Sequence, residues 1–289
     1  MSKIINMKIL DWSFKENFNI DKDLTIILGS FETLHLGHYE LFKLAKDLKN
    51  NNRENKIAIM MFNTPFKLLK SKQKKAFQTK IRLYTLYNLQ FDYVFLVNKN
   101  TNNAHITAEE FCKNLKLNNV KNVICGEDFK FGFNRKGDIN YLKKFFNLIV
   151  ANERKIQKKK ISSTLIKEFI EEGNISAINS LLIEKYSFIT NLEKFNFKYP
   201  ENIKKIKSGI YITNFVISDI EYHGLIKISN NPEIVLDNEA YLFDLELIPS
   251  KYEEVFIEFE ALIRYINLDF ENKITENDIN TAKNWFLQK

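Results

Sequence analysis

Cysteine is scarce. The 289-residue chain has two, Cys112 and Cys125, too few for a disulfide framework or a cysteine-based zinc site. No apolar run reaches the roughly 18–20 residues that a membrane-spanning helix requires. The opening Met1-Ser2-Lys3-Ile4-Ile5 lacks the apolar core and small-residue cleavage site of a secretory signal. Internal repeats and low-complexity linkers are missing as well. These absences predict a soluble, cytoplasmic protein with no membrane partner. What is present is ordinary globular material, 45% hydrophobic and 27% charged, at a length that suits two cores better than one.

The net charge of +7 raises the question of nucleic acid. Lys, Asn, Ile and Phe are abundant along the whole chain, as an AT-rich coding sequence produces without selection for binding. The sharpest basic cluster is Arg154-Lys155 followed by Lys158-Lys159-Lys160. It precedes a polar motif and suits a polyphosphate, or a solvated loop, as well as it suits a nucleic acid. No aromatic-plus-basic motif accompanies it, so nucleic acid is not an expected partner.

Over the first 150 or so residues the chain alternates strand-like and helix-like segments. Leu24–Leu28, Lys56–Phe62, Phe91–Val97 and Lys121–Gly126 read as buried strands. Helical patterns cover Gly37–Lys49, the Phe77, Ile81 and Tyr84 spacing, and Thr107–Leu117. Thr107 and Glu110 form a capping box. Such alternation predicts a parallel sheet covered on both faces, with ligands beyond the carboxyl ends of its strands. From about residue 184 the period becomes two, as in Val255, Ile257, Phe259, Ala261 and Ile263, and in Tyr241, Phe243, Leu245 and Leu247. That pattern predicts antiparallel strands, and a last helix from Thr275, capped with Asp278, runs to Phe286. The expected fold class is α/β, with domains at 1–183 and 184–289, the second a small β-barrel or sandwich.

The most informative stretch is Gly29-Ser30-Phe31-Glu32-Thr33-Leu34-His35-Leu36-Gly37-His38. A strand ends, the chain turns and a helix begins. His35 and His38 stand three apart and face the same way on a helical turn. Gly37 lets a ligand's phosphates approach the backbone, and the helix start favours an anion. A bare pair of histidines at this spacing is also met on surfaces and in cores, and zinc is a competitor without an evident third ligand. The strand–turn–helix context favours phosphate chemistry. Further on, Ser162, Ser163 and Thr164 open a helix and offer either plain capping or a second anion seat. Phe129 and Phe131 offer either core packing or a cover for an aromatic ring system, with Asp128 as an acceptor beside it.

Four collinear segments resemble one family. The Gly29–His38 stretch resembles the Gly-Xaa-Phe-Asp-Gly-Xaa-His-Xaa-Gly-His signature of bacterial bifunctional riboflavin kinase/FMN adenylyltransferases, members of the HxGH nucleotidyltransferase superfamily. Met61-Phe62-Asn63-Thr64-Pro65 is similar to the segment that borders the flavin pocket in that family. Gly126-Glu127-Asp128-Phe129-Lys130-Phe131-Gly132, with Gly137-Asp138, resembles Gly-Glu-Asp-Phe-Arg-Phe-Gly. Ile161-Ser162-Ser163-Thr164-Leu165-Ile166-Lys167 resembles the second nucleotide motif.

The resemblance implies a Rossmann-like nucleotidyltransferase domain that transfers AMP from ATP to FMN, with Mg²⁺ arriving on ATP. It implies His35 and His38 as catalytic residues. Nucleotide would be held by Gly29, Ser30, Phe31, Gly37, Ser162, Ser163, Thr164 and Lys167, and FMN by Phe62, Pro65, Asp128, Phe129 and Phe131. Glu32, Thr33 and Lys167 depart from the family's Asp, Gly and Arg.

The C-terminal part resembles the family's riboflavin kinase barrel. Gly209-Ile210-Tyr211 is similar to its Gly-Val-Tyr, and Glu239 stands where the family has its catalytic carboxylate. The nucleotide-holding Gly-Phe-Pro-Thr-Ala-Asn is reduced to Phe195-Asn196-Phe197-Lys198-Tyr199-Pro200-Glu201-Asn202. No threonine or glycine is left to cradle phosphates there. A kinase-like barrel with a residual site at Asn202 and Glu239, idle toward riboflavin, is the expectation. A working bifunctional enzyme and a non-catalytic flavin- or nucleotide-binding protein are the alternatives.

Overall fold

The computed structural model describes residues 7–52, 54–63, 74–98, 105–152, 155–156, 159–229, 237–243, 245 and 251–289. Six strands form one sheet: β1 (Lys8–Asp11), β2 (Leu24–Ile27), β3 (Lys56–Phe62), β4 (Tyr93–Val97), β5 (Val120–Gly126) and β6 (Asn147–Ala151). Their order is β1-β4-β3-β2-β5-β6, and every pairing is parallel. The central strands are near-continuous apolar runs because both faces are covered, and β2 is buried throughout. One face packs on a core that includes Trp12, Phe95, Phe111 and Phe131. Helix α1 (Tyr39–Asn51) buries Leu41, Phe42 and Ala45. The expected Thr107–Glu110 capping box is present at the start of α3 (Ala108–Leu117), which follows α2 (Thr79–Asn88). Both cysteines are buried in this unit, and burial pushes each thiol up to about 12, so neither serves as a nucleophile.

The basic run before the second motif has a backbone ribbon of β7 (Lys155–Ile156) and β8 (Lys159–Lys160), while Arg154 and Lys158 lie outside the described residues. Between β5 and the ribbon stands the short α4 (Ile139–Leu142), capped by Asp138.

A second set of strands closes into an antiparallel barrel of order β10-β13-β12-β11-β14-β9. These are β9 (Ser187–Glu193), β10 (Asn196–Phe197), β11 (Gly209–Ile217), β12 (Ile220–Ile228), β13 (Asn238–Leu242) and β14 (Lys251–Tyr265). The β11–β12 hairpin turns through Ser218 and Asp219, at φ 49° and 67°. Two positive φ values in a two-residue loop match the twist of the flanking strands. Aromatic rings fill the interior, with the Tyr186 and Tyr199 hydroxyls 3.1 Å apart.

The expected alternation of Val255, Ile257 and Phe259 is seen in β14, all three buried. The phase expected at Tyr241 is corrected: in β13 the inward residues are Asn238, Ala240 and Leu242, and Tyr241 is exposed, whereas Phe243 just past the strand is buried and Leu247 lies outside the described residues. Buried Asn238 is the reason. Its side chain donates to Phe197 O at 3.0 Å and accepts from Ser229 N at 3.1 Å, so a core position reads as polar in the sequence. The final helix, α7 (Glu276–Leu287), carries the expected Thr275–Asp278 capping box.

By packing, Lys74–Ile81 with Ser162–Lys289 form one compact unit, and Ser2–Gln73 with Arg82–Ile161 the other. This packing division cuts through α2. Helix α5 (Ser163–Glu172) and helix α6 (Ile175–Leu181) go with the barrel. Asn179 donates to Phe259 O at 2.9 Å and accepts from Tyr186 N at 2.9 Å. Gln78 likewise accepts from Ile189 N at 2.7 Å and donates to Ile189 O at 2.8 Å. Among the described residues no helix is long and apolar enough to cross a membrane.

Candidate active site

The chain leaves β2 toward β3 on one side, while β5 lies on the other side and leads on to β6. This reversal of strand order makes the carboxyl ends of β2 and β5 the topological switch point, where open α/β sheets bind ligands. Both expected motifs of this unit are there, Gly29–His38 after β2 and Gly126–Gly132 at the end of β5.

After β2 the chain makes a tight loop with Phe31 at φ 44°, a left-handed conformation that costs a bulky residue about 1–2 kcal/mol. A 3₁₀ turn, Leu36–His38, follows with His35 as its N-cap, and His38 N donates to His35 O at 2.8 Å. Side chains three apart eclipse on such a turn. The two imidazoles consequently stack, with centroids 3.7 Å apart and planes at 13°. Phe31 meets the His38 ring edge-on at 4.8 Å. A Cβ on Gly37 would come within 2.8 Å of His35 Nδ1, so the glycine is required by the histidine as well as by any ligand. That Cβ would also lie 3.4 Å from Cβ of Ile161, the first residue of the second motif. Gly29 has the same function for Phe31, whose ring carbon would be 2.6 Å from an added Cβ. Thr33, where glycine is frequent in the family, is buried and stays out of the left-handed region, so it fits without strain.

Arg82 is the residue that sequence reasoning missed. It is 1% exposed. Its Nη1 donates to Phe31 O at 2.8 Å and Phe62 O at 2.9 Å, and its Nη2 to Asn63 O at 2.9 Å. Burial pulls its guanidinium down to about 10, partly offset by the Glu32 carboxylate, and it stays cationic at neutral pH. Its only sequence signal is a charged residue among the apolar positions of α2.

At the end of β5, the choice left open for the phenylalanines is resolved. Phe131 belongs to the core, 4.8 Å from Phe111, and exchanges two main-chain bonds with Gly137 at 2.9 and 3.0 Å. Phe129 is half-buried and stacks on it at 5.8 Å, while Asp128 is exposed. Gly132 needs its φ of 72°, and a Cβ there would meet Ala108 N at 2.8 Å. Phe62 is half-buried at the end of β3, and Pro65 lies outside the described residues. Among the described residues no cluster of three or more His, Cys, Asp or Glu is placed to hold a metal ion.

The second nucleotide motif opens α5 in the barrel's unit. Ser162 is its N-cap and accepts from Leu165 N at 3.2 Å, so capping is realised by this residue. Ser163 and Lys167 are half-buried and Thr164 is exposed in the first turn and just beyond. Gly173 ends the helix at φ 72°.

A family model described as FAD synthetase matches residues 17–165, just over half of the chain and the segment that holds the histidine pair. The chain belongs to the FAD synthetase family. Its activity is AMP transfer from ATP to FMN, which yields FAD and releases pyrophosphate. Among curated relatives, the bifunctional riboflavin kinase/FMN adenylyltransferase of Buchnera aphidicola from Acyrthosiphon pisum is 28% identical, over 82% of this chain and 85% of its own. The homonymous protein of Buchnera from Schizaphis graminum is 25% identical, over 92% and 95%. A crystal structure of a macrolide-efflux protein from Streptococcus pneumoniae superposes with a TM-score of 0.75 at 21% identity, over 89% of this chain and all of that one. At that identity it shows the fold alone.

In the barrel, Glu239 on β13 stands opposite Lys227 of β12 in register. Lys227 is buried, with Nζ 3.5 Å from Glu239 and 3.7 Å from Asp237. It also donates to Asn272 O at 3.4 Å. Asn202 is exposed, and its carbonyl accepts from Lys75 N at 3.3 Å. Glu201 is paired with Lys198.

Proposed function

We propose that adenylyl transfer occurs at the carboxyl end of β2, with the stacked His35–His38 pair holding the phosphates. The carrying observation is that pair, seated on a 3₁₀ turn at the helix entry. Imidazole donors, main-chain N–H groups and the helix dipole all favour negative charge at one point. A phosphate oxygen of FMN attacks the α-phosphorus of ATP, and the bond to pyrophosphate breaks. Reactions of this kind rest on positioning and charge stabilisation, without a protein nucleophile. Mg²⁺ enters as part of the ATP substrate, since it retains waters and requires few protein ligands. Ser163, Thr164 and Lys167 at the start of α5 are the residues that the family resemblance assigns to the nucleotide. Phe62 and Phe129, both half-buried, border the flavin, with Asp128 as an acceptor, and the core position of Phe131 makes it the support of Phe129. ATP and FMN are the small-molecule partners, and the site of action is the cytoplasm.

The barrel's kinase chemistry is proposed to be lost. Removing a proton from riboflavin's ribityl hydroxyl requires a carboxylate free to accept it. Glu239 instead faces a buried ammonium, and the segment Phe195–Asn202 has no serine, threonine or glycine with which to build a phosphate cradle. Two incubations test both statements, with products separated by chromatography. FMN with ATP and Mg²⁺ is expected to yield FAD, and riboflavin with ATP and Mg²⁺ to yield neither FMN nor FAD. FMN at several turnovers per enzyme in the second incubation would restore the bifunctional reading.

A further inference from the structure

We propose that Arg82 is a positioning residue for adenylyl transfer, whose guanidinium holds the histidine loop and the end of β3 in one fixed arrangement. The inference rests on the reading above, in which the loop carries the phosphates and the end of β3 borders the flavin. Regular pairing of β2 with β3 runs from Leu24–Lys56 to Ile27–Ile59. Beyond it the two strand ends are joined by a long 3.4 Å bond from Phe62 N to Ser30 O. The Arg82 fork adds three shorter bonds at that point, one to the loop and two to the strand end.

Phe31 is the relay. Its backbone is in the left-handed region at φ 44°, and its carbonyl is the one that Arg82 grips. Its ring is edge-on to His38, which stacks on His35. The guanidinium therefore sets the carbonyl, the carbonyl sets the ring, and the ring sets the histidine pair. A cation buried to this degree is costly by itself, and apolar side chains of similar volume stabilise such places as well or better. What an apolar residue does not supply is a planar fork that fixes three carbonyls from two separate segments.

Lysine retains the charge but lacks the fork, which makes Arg82→Lys the informative variant. Misplacement of reacting groups by about 1 Å costs on the order of 100-fold in rate. The expected result is a kcat for FAD formation reduced about 100-fold per folded enzyme. ATP binding alone, by calorimetry, and FMN binding alone, by quenching of flavin fluorescence, should each stay within about threefold, because each half of the site survives. A kcat within threefold of wild type overturns the proposal. So does a loss carried by weaker binding of either substrate with kcat retained. If Arg82→Lys does not fold, Arg82→Gln, which retains a planar amide donor, is measured in the same way. Failure of both to fold also overturns the proposal, leaving a cation that serves stability alone. His38→Ala, run in parallel, separates the two ideas: normal turnover there removes the phosphate-site reading itself, whereas normal turnover only in the Arg82 variants removes the positioning role.

Discussion

The end of β2 and the mouth of the barrel have fared differently. At β2 the backbone, the two histidines and the glycines that make room for their neighbours form one arrangement, in which Gly37 yields to His35 and Gly29 to Phe31. In the barrel the closed sheet is intact, yet the carboxylate at Glu239 faces Lys227 and Glu201 is paired with Lys198. A barrel is held by its interior, here Tyr186, Phe188, Tyr211 and Phe259, all fully buried. A phosphoryl-transfer site is held by a few polar groups at the rim that contribute little to the core. On the proposed reading of an idle kinase half, the second is lost while the first is kept.

The largest expected effect breaks the β2 side of this comparison. His38→Ala should lower FAD formation about 100- to 1,000-fold, corresponding to about 2.7–4 kcal/mol for one preorganised donor. Steady-state assay on protein with an unchanged circular dichroism spectrum checks it, and near-normal turnover would sink the assignment. Lys167 comes next. Lys167→Ala should raise the ATP KM about tenfold, in the range of one charge-assisted hydrogen bond in a half-exposed place. Lys167→Arg should keep or improve it, since the guanidinium fork suits phosphate. An ATP dependence untouched by the alanine would mark Lys167 as a surface residue.

The smallest effect on catalysis belongs to the barrel. Arg264 grips Asp278 through two bonds of 2.9 Å, and Asp278 also caps α7 at Thr275. Asp278→Ala should cost about 2–4 kcal/mol of stability while FAD formation per folded enzyme stays within about twofold of wild type. Desolvation pushes the Asp278 carboxyl up, but the bonds from Arg264 and Thr275 outweigh it and hold it below its ordinary value. Its stabilisation is therefore complete above the unfolded-state value near 4 and is lost as pH falls through the lower folded value. Thermal melts of wild type and variant should converge in that acid range. Curves that stay parallel to the lowest pH would refute the role of the carboxylate.

Much of this was legible from local order. Short-range rules act within a few residues, so the capping pairs Thr107–Glu110 and Thr275–Asp278 and the facing of His35 and His38 were readable directly. The strand–helix alternation announced a parallel sheet for the same reason. Elsewhere the chain concealed its own pattern. Asn238 looks like a surface residue in the sequence, but it is buried because Ser229 and Phe197 satisfy its amide. That one residue reversed the apparent phase of β13.

The sequence by itself determined the order of elements, the β2 motif and the absence of Ser, Thr and Gly between Phe195 and Asn202, since each depends on residues adjacent in the chain. Tertiary structure alone decided that Phe131 joins the core while Phe129 stays half-buried, and that α5 and α6 pack with the barrel. It also paired Lys227 with Glu239 and brought Arg82 to carbonyls of Phe31 and Phe62, residues 51 and 20 positions away. The physical reason is common to all of these. A buried charge or ring takes its meaning from partners that folding brings together, and nothing in the local sequence names them.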